Sequence, residues 1–321
     1  MKYKKVFLTG GAGFIGSNLC DRLLKEGCRV VVYDNFSTGF LKFLNSARKS
    51  RRFSLVKGDL LNQKRLERAM KGCDFVFHLA ANADVRFGTD HPTLDLEQNT
   101  IVTSNVLEAM RTNKIKSIGF SSTGSVYGEA TVVPTPEDAP FPVQTSLYGA
   151  SKLACEGLIE AYCNGFGFQA FIFRFVSILG ERYTHGHVFD FYKKLLSDPT
   201  KLHVLGDGKQ KKSYLYVQDC VDAIFTALEK SKGQVNIYNL GRPDYVVVNN
   251  SVKWICRHLG VSPKITYSGG ERGWVGDNPL ILLDTKRINR LGWKPKVPIE
   301  DAVVKTISWI QENEWVLTSR R

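Results

Sequence analysis

The feature that most constrains this chain is a glycine-rich turn between a short apolar strand and a helix. Residues 6–9 have the character of a buried strand, and Gly10, Gly13 and Gly16 lead into a predicted helix at 15–25. Glycines permit a sharp turn and let a pyrophosphate approach the free N–H groups at a helix N-terminus. The spacing GxxGxxG is one residue longer at its start than the GxGxxG pattern of dinucleotide-binding proteins. The turn therefore predicts a pyrophosphate site, with a ligand-free loop as the alternative.

Asp34 gives this turn a chemical partner. It ends the second predicted strand, 18 residues after Gly16. A carboxylate near this position binds the adenosine ribose in dinucleotide-binding folds. Because its charge would repel a 2′-phosphate, Asp34 favours NAD over NADP. By itself such an aspartate also suits a simple strand end, so the prediction depends on the combination.

Apolar strands and helices alternate through the first half of the chain. Such a pattern predicts a parallel sheet covered on both faces, the doubly wound (Rossmann) α/β fold. We expect residues 1–175 to form an NAD-binding domain and residues 176–321 a smaller α/β substrate-binding part, with segments near 214–245 returning to the first domain. The predicted strands are 6–9, 30–33, 53–56, 75–78, 116–121 and 169–175, and the predicted helices are 15–25, 63–70, 94–112 and 148–164.

Composition narrows the classes of function. The chain has 321 residues, of which 43% are hydrophobic, and no apolar run reaches the roughly 18 residues of a membrane span. Its seven scattered cysteines include no CxxC pair, which favours reduced thiols in the cytoplasm over disulfides or zinc. The net charge of +13 suits an anionic substrate. A nucleic-acid partner is the alternative, but the basic residues are dispersed and no nucleic-acid-binding motif accompanies them. We therefore expect neither a nucleic-acid nor a membrane partner.

A tyrosine and a lysine share one face of the predicted helix that precedes the sixth strand. Tyr148 and Lys152 are spaced i, i+4, so they lie on the same side of a helix. A nearby ammonium stabilises a phenolate, and the pair therefore predicts a tyrosine with a lowered pKa that acts as a base. The hydroxyl-rich segment 121–128 follows the fifth strand, at the sheet edge where doubly wound folds bind ligands. Taken alone, that segment also fits an ordinary Ser/Thr-rich turn.

In combination these motifs resemble the extended short-chain dehydrogenase/reductase family. The resemblance covers nearly the whole chain and is closest to the UDP-glucose 4-epimerase-like members of the nucleotide-sugar epimerase and dehydratase group. It implies NAD as cofactor, a nucleoside-diphosphate sugar as substrate, and a homodimer formed by the helices near Asn99 and Tyr148. The motifs are residues 9–16, 34–35, 58–60, 78–81, 121–128 and 148–152, then 214–219, 238–241 and 291–295.

The resemblance also implies roles for individual residues. Tyr148 would be the catalytic base, Lys152 would hold the nicotinamide ribose, and Thr123 would bond the reacting hydroxyl. The expected cofactor contacts are Gly10, Gly13, Phe14, Ile15, Gly16, Asp34, Asn35, Asp59, Leu60, Leu79, Ala80, Ala81, Asn99, Ser121, Tyr148, Lys152 and Val176. The expected substrate contacts are Val85, Arg86, Thr123, Ser177, His187, Lys212, Tyr214 and Arg272.

Departures from the family pattern bear on the reaction. The 4,6-dehydratases carry an Asp-Glu pair after the threonine, whereas this chain has Gly124-Ser125. Neither residue can serve as the acid and base that water elimination requires, so epimerisation at C4 is favoured. Ser177 stands where the family often has asparagine. Lys212 replaces an arginine that often meets the diphosphate, and lysine lacks the bidentate fork. These changes leave the base and the sugar open.

Several alternatives stay open at this point. A relative acting elsewhere on the sugar, such as a 2-epimerase, a uronic acid decarboxylase or a 4-keto reductase, would carry the same motifs. A non-catalytic NAD-binding protein is a further alternative, which the intact Thr123, Tyr148 and Lys152 set disfavours. His185 and His187 suggest metal ligands, but no further ligand accompanies them in the sequence, and we expect no metal.

Overall fold

The computed structural model describes residues 3–82, 88, 90–141, 143–273 and 280–319. Its strands are β1 (Lys5–Thr9), β2 (Arg29–Asp34), β3 (Phe53–Lys57), β4 (Phe75–His78), β5 (Ser117–Thr123), β6 (Gln169–Phe175), β7 (Ser177–Leu179), β8 (Lys201–Val204), β9 (Lys211–Lys212), β10 (Tyr214–Tyr216), β11 (Val235–Leu240), β12 (Val246–Val247), β13 (Lys264–Tyr267) and β14 (Leu280–Ile281). Its helices are α1 (Phe14–Lys25), α2 (Gln63–Met70), α3 (Val102–Thr112), α4 (Leu147–Phe166), α5 (His187–Ser197), α6 (Val217–Lys230), α7 (Val248–Leu259), α8 (Lys286–Arg290), α9 (Ile299–Glu312) and α10 (Trp315–Ser319). Short 3₁₀ helices cover Leu41–Leu44, Ala47–Lys49 and Gly124–Tyr127.

A central sheet of parallel strands organises the first half of the molecule. In the described part of the chain it has seven strands in the order β11-β6-β5-β4-β1-β2-β3. The chain winds outward from β1 to β2 and β3, then crosses to β4 on the other side. This reversal creates a crevice at the carboxyl ends of β1 and β4, where doubly wound folds bind their ligands. The sequence prediction of a doubly wound α/β fold is confirmed.

Helices cover both faces of this sheet, which explains why its strands are apolar without alternation. Alternate residues of β1 point to opposite faces, and Leu8 packs with α1 and α6 while Phe7 packs with α2, α3 and α4. Both side chains are fully buried. Two separate apolar layers therefore fix the central strand from both sides, and they hold its carboxyl end rigidly at the site.

The helix predicted at 94–112 is interrupted. Pro92–Asp95 forms one α-helical turn, Leu96–Ile101 is a π-helix, and α3 begins only at Val102. The prediction of a continuous α-helix was wrong here because a π-turn inserts a residue without disturbing the apolar pattern on either side. Such insertions concentrate at functional sites, and this one contains Asn99, which is buried.

The chain after residue 175 builds small sheets and also returns to the large one. β11 pairs in parallel with β6 as the last strand of the central sheet, and α6 packs on α1. β10 pairs with β7, while β12-β9-β14 and β13-β8 form separate small sheets. A third apolar cluster joins α5, α7 and α9 to β8 and β10. These elements place β7, β9, β10 and the start of α5 beside one another.

Two further properties follow from the described residues. The seven cysteines are free thiols, and only Cys256 among them is partly exposed. Burial raises the pKa of the Cys20 thiol to about 12 and that of Cys73 to about 11, which makes both unreactive. Over the ranges given above, every helix falls short of the combined length and apolar character that crossing a bilayer would need.

Candidate active site

The glycine-rich turn is packed so closely that side chains cannot enter it. Gly10 has a φ of +67°, a conformation that residues with a Cβ rarely adopt. A Cβ on Gly10 would lie 2.6 Å from the amide nitrogen of Ala80, and a Cβ on Gly16 would overlap the Gly10 carbonyl oxygen. The Gly13 amide donates to that same oxygen at 3.1 Å. The glycines therefore bring β1, the turn and the start of α1 against the segment after β4.

Helix α1 begins at this turn with an open N-terminus. Its N-cap is Gly13, no side chain caps its first N–H groups, and no acidic residue lies in its first turn. Its first turn carries Phe14, Ile15 and Gly16, all three predicted cofactor contacts. Free N–H groups and the helix dipole favour an anion at such a position. These residues thus fit the pyrophosphate of a dinucleotide.

Asp34 is held in place at the carboxyl end of β2. Its two carboxylate oxygens accept hydrogen bonds from the amides of Ala12 at 2.9 Å and Phe36 at 2.8 Å. Burial raises the pKa of Asp34, although these two bonds act in the opposite direction. The carboxylate is therefore fixed beside the turn, where the prediction put a ribose contact.

The other predicted contacts on the adenosine side lie at the next strand ends. Asn35 follows β2, and its amide nitrogen lies 3.5 Å from the carboxylate of Asp59 after β3. The Tyr33 hydroxyl donates to the Asp59 carbonyl oxygen at 3.0 Å. Leu60 is buried. Asn35, Asp59 and Leu60 thus gather with Asp34 at one edge of the sheet.

The remaining predicted cofactor residues follow the neighbouring strands. The amides of Leu79 and Ala80 each donate to the Thr9 hydroxyl at 3.2 Å, which holds the segment 79–81 beside Gly10. The Ser121 hydroxyl donates to the His78 carbonyl at 3.3 Å. Val176 is buried after β6. All three positions lie near carboxyl ends of strands, in line with a cofactor that crosses the sheet edge.

The three predicted catalytic residues come together at β5 and α4. Thr123 ends β5, and Tyr148 and Lys152 lie one turn apart near the start of α4. Ser146 caps this helix by accepting from the Gly149 amide at 3.0 Å. The Thr123 hydroxyl donates to the Ser125 hydroxyl at 3.2 Å, and Thr123 lies close enough to Tyr148 to affect the pKa of the phenol. The Lys152 ammonium donates to the Ser121 carbonyl at 2.8 Å, which fixes it beside the carboxyl end of β5.

The ionisation of this group differs from the sequence prediction. Burial raises the pKa of Tyr148 well above its ordinary value, and nearby Asp95 adds to the rise, while the nearby Thr123 side chain opposes it. Burial also lowers the pKa of Lys152 to about 8. The prediction of a tyrosine with a lowered pKa was therefore wrong for the described protein residues, because desolvation is the largest effect on its pKa.

Four predicted substrate contacts form a second cluster. Ser177 on β7 pairs in register with Tyr214 on β10. The His187 ring stacks on Tyr214 with centroids 4.7 Å apart, and its Nε2 lies 2.8 Å from the Ser251 hydroxyl. Burial, together with the charge of Lys212, lowers the pKa of His187 to about 3. His187 is therefore neutral at physiological pH, and Lys212 supplies the positive charge of the cluster.

Arg272 is a further predicted substrate contact. Arg272 forms an ion pair with Glu129 at 2.5 Å, and both side chains are about half exposed. Glu129 follows the 3₁₀ turn Gly124–Tyr127, which begins directly after Thr123. The ion pair therefore involves the same segment of the chain as Thr123. Val85 and Arg86 lie outside the described residues.

A buried ion pair that the sequence patterns did not indicate lies behind the predicted catalytic residues. Arg174 on β6 donates to both carboxylate oxygens of Glu156 on α4, at 3.1, 3.2 and 2.6 Å. The Ser122 hydroxyl donates to the same carboxylate, and both charged side chains are only 2% exposed. This pair fixes α4 against β5 and β6. The spacing offered a signal, since Glu156 lies one helical turn after Lys152.

The two histidines that suggested a metal have aromatic neighbours. His185 stacks on Tyr183 with ring centroids 6.0 Å apart, and His187 stacks on Tyr214. Among the residues whose positions the structure gives, no three His, Cys, Asp or Glu side chains are grouped to hold a metal ion.

Comparison with known proteins shows similarity along the whole chain. The sequence model of the NAD dependent epimerase/dehydratase family matches residues 6–241. The UDP-glucose 4-epimerase of Mycolicibacterium smegmatis is 32% identical over 315 residues, covering 96% of this chain and 98% of that protein. The CDP-paratose 2-epimerase of Salmonella typhi is 31% identical over 342 residues, covering 95% and 98%. A crystal structure of UDP-glucuronic acid 4-epimerase from Bacillus cereus, in complex with UDP-glucuronic acid and NAD, matches with a TM-score of 0.88 and 28% identity, covering 96% and 99%.

Proposed function

This chain belongs to the NAD dependent epimerase/dehydratase family, and from this premise we propose that it is a nucleoside-diphosphate-sugar 4-epimerase. The predictions of the family and of NAD as cofactor are confirmed. The observation that carries the proposal is the meeting of Thr123 and Tyr148 at the carboxyl end of β5, where Thr123 acts to lower the pKa of the phenol against the effect of burial. It puts a hydroxyl and a phenol together where one sugar hydroxyl can meet both.

The second cluster supports a nucleoside-diphosphate sugar as substrate. Lys212 offers a positive charge for a diphosphate, while Tyr214 and neutral His187 offer flat apolar surface beside it. Relatives named as acting on UDP-glucose and UDP-glucuronic acid support the same class of substrate. We assign residues 176–321 mainly to the substrate and residues 1–175 mainly to the cofactor.

The proposed mechanism gives each catalytic residue one task. NAD, when bound at the Gly10 turn, supplies the redox chemistry by which C4 is oxidised and then reduced. Tyr148 accepts the proton of the 4-hydroxyl during oxidation and returns it to the 4-oxygen during reduction. Thr123 keeps that oxygen oriented through its own hydroxyl. Inversion follows when the 4-ketone presents its opposite face before the reduction.

Charge at the site decides when Tyr148 can act. Because burial raises its pKa, the phenolate needs positive charge nearby. Lys152, with a pKa lowered to about 8, is mostly an ammonium at pH 7 and lies one helical turn away. Gly124 and Ser125 stand directly after Thr123, where a dehydratase carries its acid and base, and they have no carboxyl group; this supports epimerisation.

A 2-epimerase is the second candidate. The CDP-paratose 2-epimerase relative has nearly the same identity and coverage as the 4-epimerase relative. Oxidation and reduction at one sugar carbon need the same hydroxyl, phenol and ammonium groups whichever carbon is presented. The position of the sugar ring therefore distinguishes these activities.

The decisive experiment follows a label through the reaction. The purified protein would be incubated with UDP-, GDP-, CDP- and dTDP-sugars deuterated at C4, and the products analysed by NMR. We expect an epimer inverted at C4 that keeps its deuterium, without net consumption of NAD. Inversion at C2 would support the second candidate, carbon dioxide release a decarboxylase, and net NADH use a reductase. Bound NAD without turnover of any sugar would support a non-catalytic role.

We also propose a homodimer. Several apolar side chains lie exposed on the π-helical segment and on α4, namely Leu96, Ile101, Leu147 and Phe166, and burial of such groups stabilises association. Light scattering should give twice the mass of one chain. Ile101→Glu, which places a charge on this face, should shift the protein to a monomer. A cytoplasmic location stays a prediction.

A further inference from the structure

A line of buried hydrogen bonds starts beside the cofactor turn. The hydroxyl of Thr9, the residue before Gly10, lies 2.8 Å from His78 Nδ1. His78 Nε2 lies 3.0 Å from the Thr103 hydroxyl, which donates to the Asn99 carbonyl at 2.6 Å. All four residues are at most 1% exposed. The line therefore joins β1, β4, α3 and the π-helical segment through the interior.

The donor and acceptor groups of these residues fix the direction of each hydrogen bond in this line. Thr103 has a single hydroxyl proton, and its shortest acceptor is the Asn99 carbonyl, so Thr103 accepts from His78 Nε2–H. His78 Nδ1 then accepts from the Thr9 hydroxyl. Burial and the charge of Lys152 lower the pKa of His78 to about 3, which keeps the ring neutral with one proton. The Thr103 hydroxyl also lies 3.2 Å from the Cys155 sulfur, which is a weaker acceptor than the Asn99 carbonyl.

The first end of the line holds backbone groups of the cofactor turn. With its proton directed to His78, the Thr9 hydroxyl presents its lone pairs to the amides of Leu79 and Ala80, each at 3.2 Å. The Ala80 amide is the atom that leaves no room for a Cβ on Gly10. A shift of Thr9 would therefore move the Leu79–Ala80 backbone, against which the turn is packed.

The second end reaches the catalytic helix. The backbone carbonyl of Asn99 also accepts from the Cys155 thiol at 3.3 Å, and the side-chain Nδ2 of Asn99 donates to the Ser151 hydroxyl at 2.9 Å. Ser151 and Cys155 lie on α4 on either side of Lys152. Asn99 therefore sets the position of the helical turn that carries the ammonium.

We propose that His78 and Thr103 are positioning residues that keep the cofactor turn and the catalytic helix in register, so that retention of NAD depends on them. The inference rests on NAD lying at the Gly10 turn and does not require inversion at C4. Failure of the 4-epimerase proposal would therefore leave it intact, and the test below measures NAD instead of sugar turnover.

Thr103→Val interrupts the line with little change of shape. The His78 Nε2–H loses its acceptor, and a buried donor without a partner is unfavourable. The chain provides a matched control in Thr306 on α9, which is equally buried and donates to the Ala302 carbonyl at 2.6 Å with the same i−4 geometry. Thr306→Val removes an equivalent bond that has no connection to the cofactor. Thr103→Ser keeps the hydroxyl and should restore the line.

The experiment measures release of labelled NAD from the loaded enzyme in an excess of unlabelled NAD. We expect Thr103→Val to release NAD about tenfold faster than the wild type, the effect of one lost buried hydrogen bond. Thr306→Val and Thr103→Ser should release it at nearly the wild-type rate, while both valine variants lower the melting temperature. Equal release from the two valine variants, or release from Thr103→Ser as fast as from Thr103→Val, would overturn the proposal.

A second measurement needs no variant that might fail to fold. In wild-type protein labelled with ¹⁵N-histidine, His78 should be neutral and protonated on Nε2 throughout the range from about pH 5 to 8, because its pKa is far below that range. Its signals are assigned in the same wild-type protein by their through-space contacts with Phe120, whose ring centroid lies 5.7 Å from that of His78. Protonation on Nδ1, or titration within this range, would contradict the direction of the line and with it the proposal.

Discussion

Different kinds of contact stabilise the two regions of this protein, the proposed cofactor half at residues 1–175 and the proposed substrate side at residues 176–321. In the cofactor half, the Glu156–Arg174 pair is buried and the Gly10 turn has no space for a Cβ. Beyond residue 175, the small strand β13 is exposed along its length, and the Arg257–Glu300 pair lies at the surface. Physical constraint is therefore concentrated around the proposed cofactor site. On the proposed substrate side, these surface contacts can change at little cost to the fold.

The strongest test of this comparison is Tyr148→Phe. Loss of the phenol should lower kcat by about 10²–10⁴-fold, the usual contribution of a positioned acid–base group, with NAD still bound. Steady-state kinetics and NAD content check this. Tyr162→Phe is the control. Tyr162 lies on the same helix, and its hydroxyl donates to the Glu108 carboxylate, outside the proposed catalytic group. Full activity of Tyr148→Phe would contradict the mechanism.

The next largest effect concerns the two ion pairs. Glu156→Gln leaves the buried Arg174 guanidinium without its counter-charge, and the free energy of unfolding should fall by about 3–5 kcal/mol. Glu300→Gln, which breaks the surface pair with Arg257, should change it by only a small fraction of that amount. Denaturant unfolding measures both. Similar losses in the two variants would remove the contrast between the two regions.

Gly16→Ala tests how closely the cofactor turn is packed. The new Cβ would overlap the Gly10 carbonyl oxygen, and backbone strain of this kind costs about 1–3 kcal/mol. We expect a lower melting temperature and loss of NAD during purification. Gly157→Ala on helix α4 is the matched substitution, since a Cβ there meets no atom within 4 Å. Because alanine favours a helix more than glycine does, this variant should stabilise the protein by about 0.5–1 kcal/mol. Retention of NAD by Gly16→Ala would show that the turn can widen.

The same contrast explains how much the sequence could predict. The glycine turn, Asp34 and the Tyr148–Lys152 pair are short-range patterns, because strand, turn and helix follow one another directly. The family resemblance then connected these patterns to the other motifs along the chain and implied roles for their residues. From these the fold class, the family and the cofactor were all predicted correctly.

The missed features join residues that are distant in sequence. His78 and Thr103 are separated by 25 positions, and Glu156 and Arg174 by 18, so no local pattern pairs them. The raised pKa of Tyr148 depends on how deeply the folded chain buries it, which residue spacing does not report. The π-helical segment was missed because apolar periodicity continues on both sides of it.

The pH dependence should separate activity from stability at Lys152. Its pKa, lowered from 10.5 to about 8, means that the ammonium is lost as pH rises through 8, and activity should fall there. Stability should change in the opposite direction. Between the folded and unfolded pKa values the unfolded chain binds more protons, so unfolding becomes less favourable as pH rises. Lys152→Met should lose activity and abolish that rise. A rise that persists in Lys152→Met would assign it to another group.

The smallest expected effect belongs to the substrate side. Lys212→Met removes the positive charge beside His187, and KM for a nucleoside-diphosphate sugar should rise about tenfold, the effect of one charge-assisted contact. NAD retention and the melting temperature should stay near their wild-type values, since this cluster is separate from the cofactor turn. Lys209→Met is the control, because Lys209 is exposed on the same segment and has the same charge. If both variants raised KM equally, general attraction by the basic surface would explain the effect. If Lys212→Met instead lowered the melting temperature strongly, the substrate side would be as tightly constrained as the cofactor half, and the contrast drawn between them would fail.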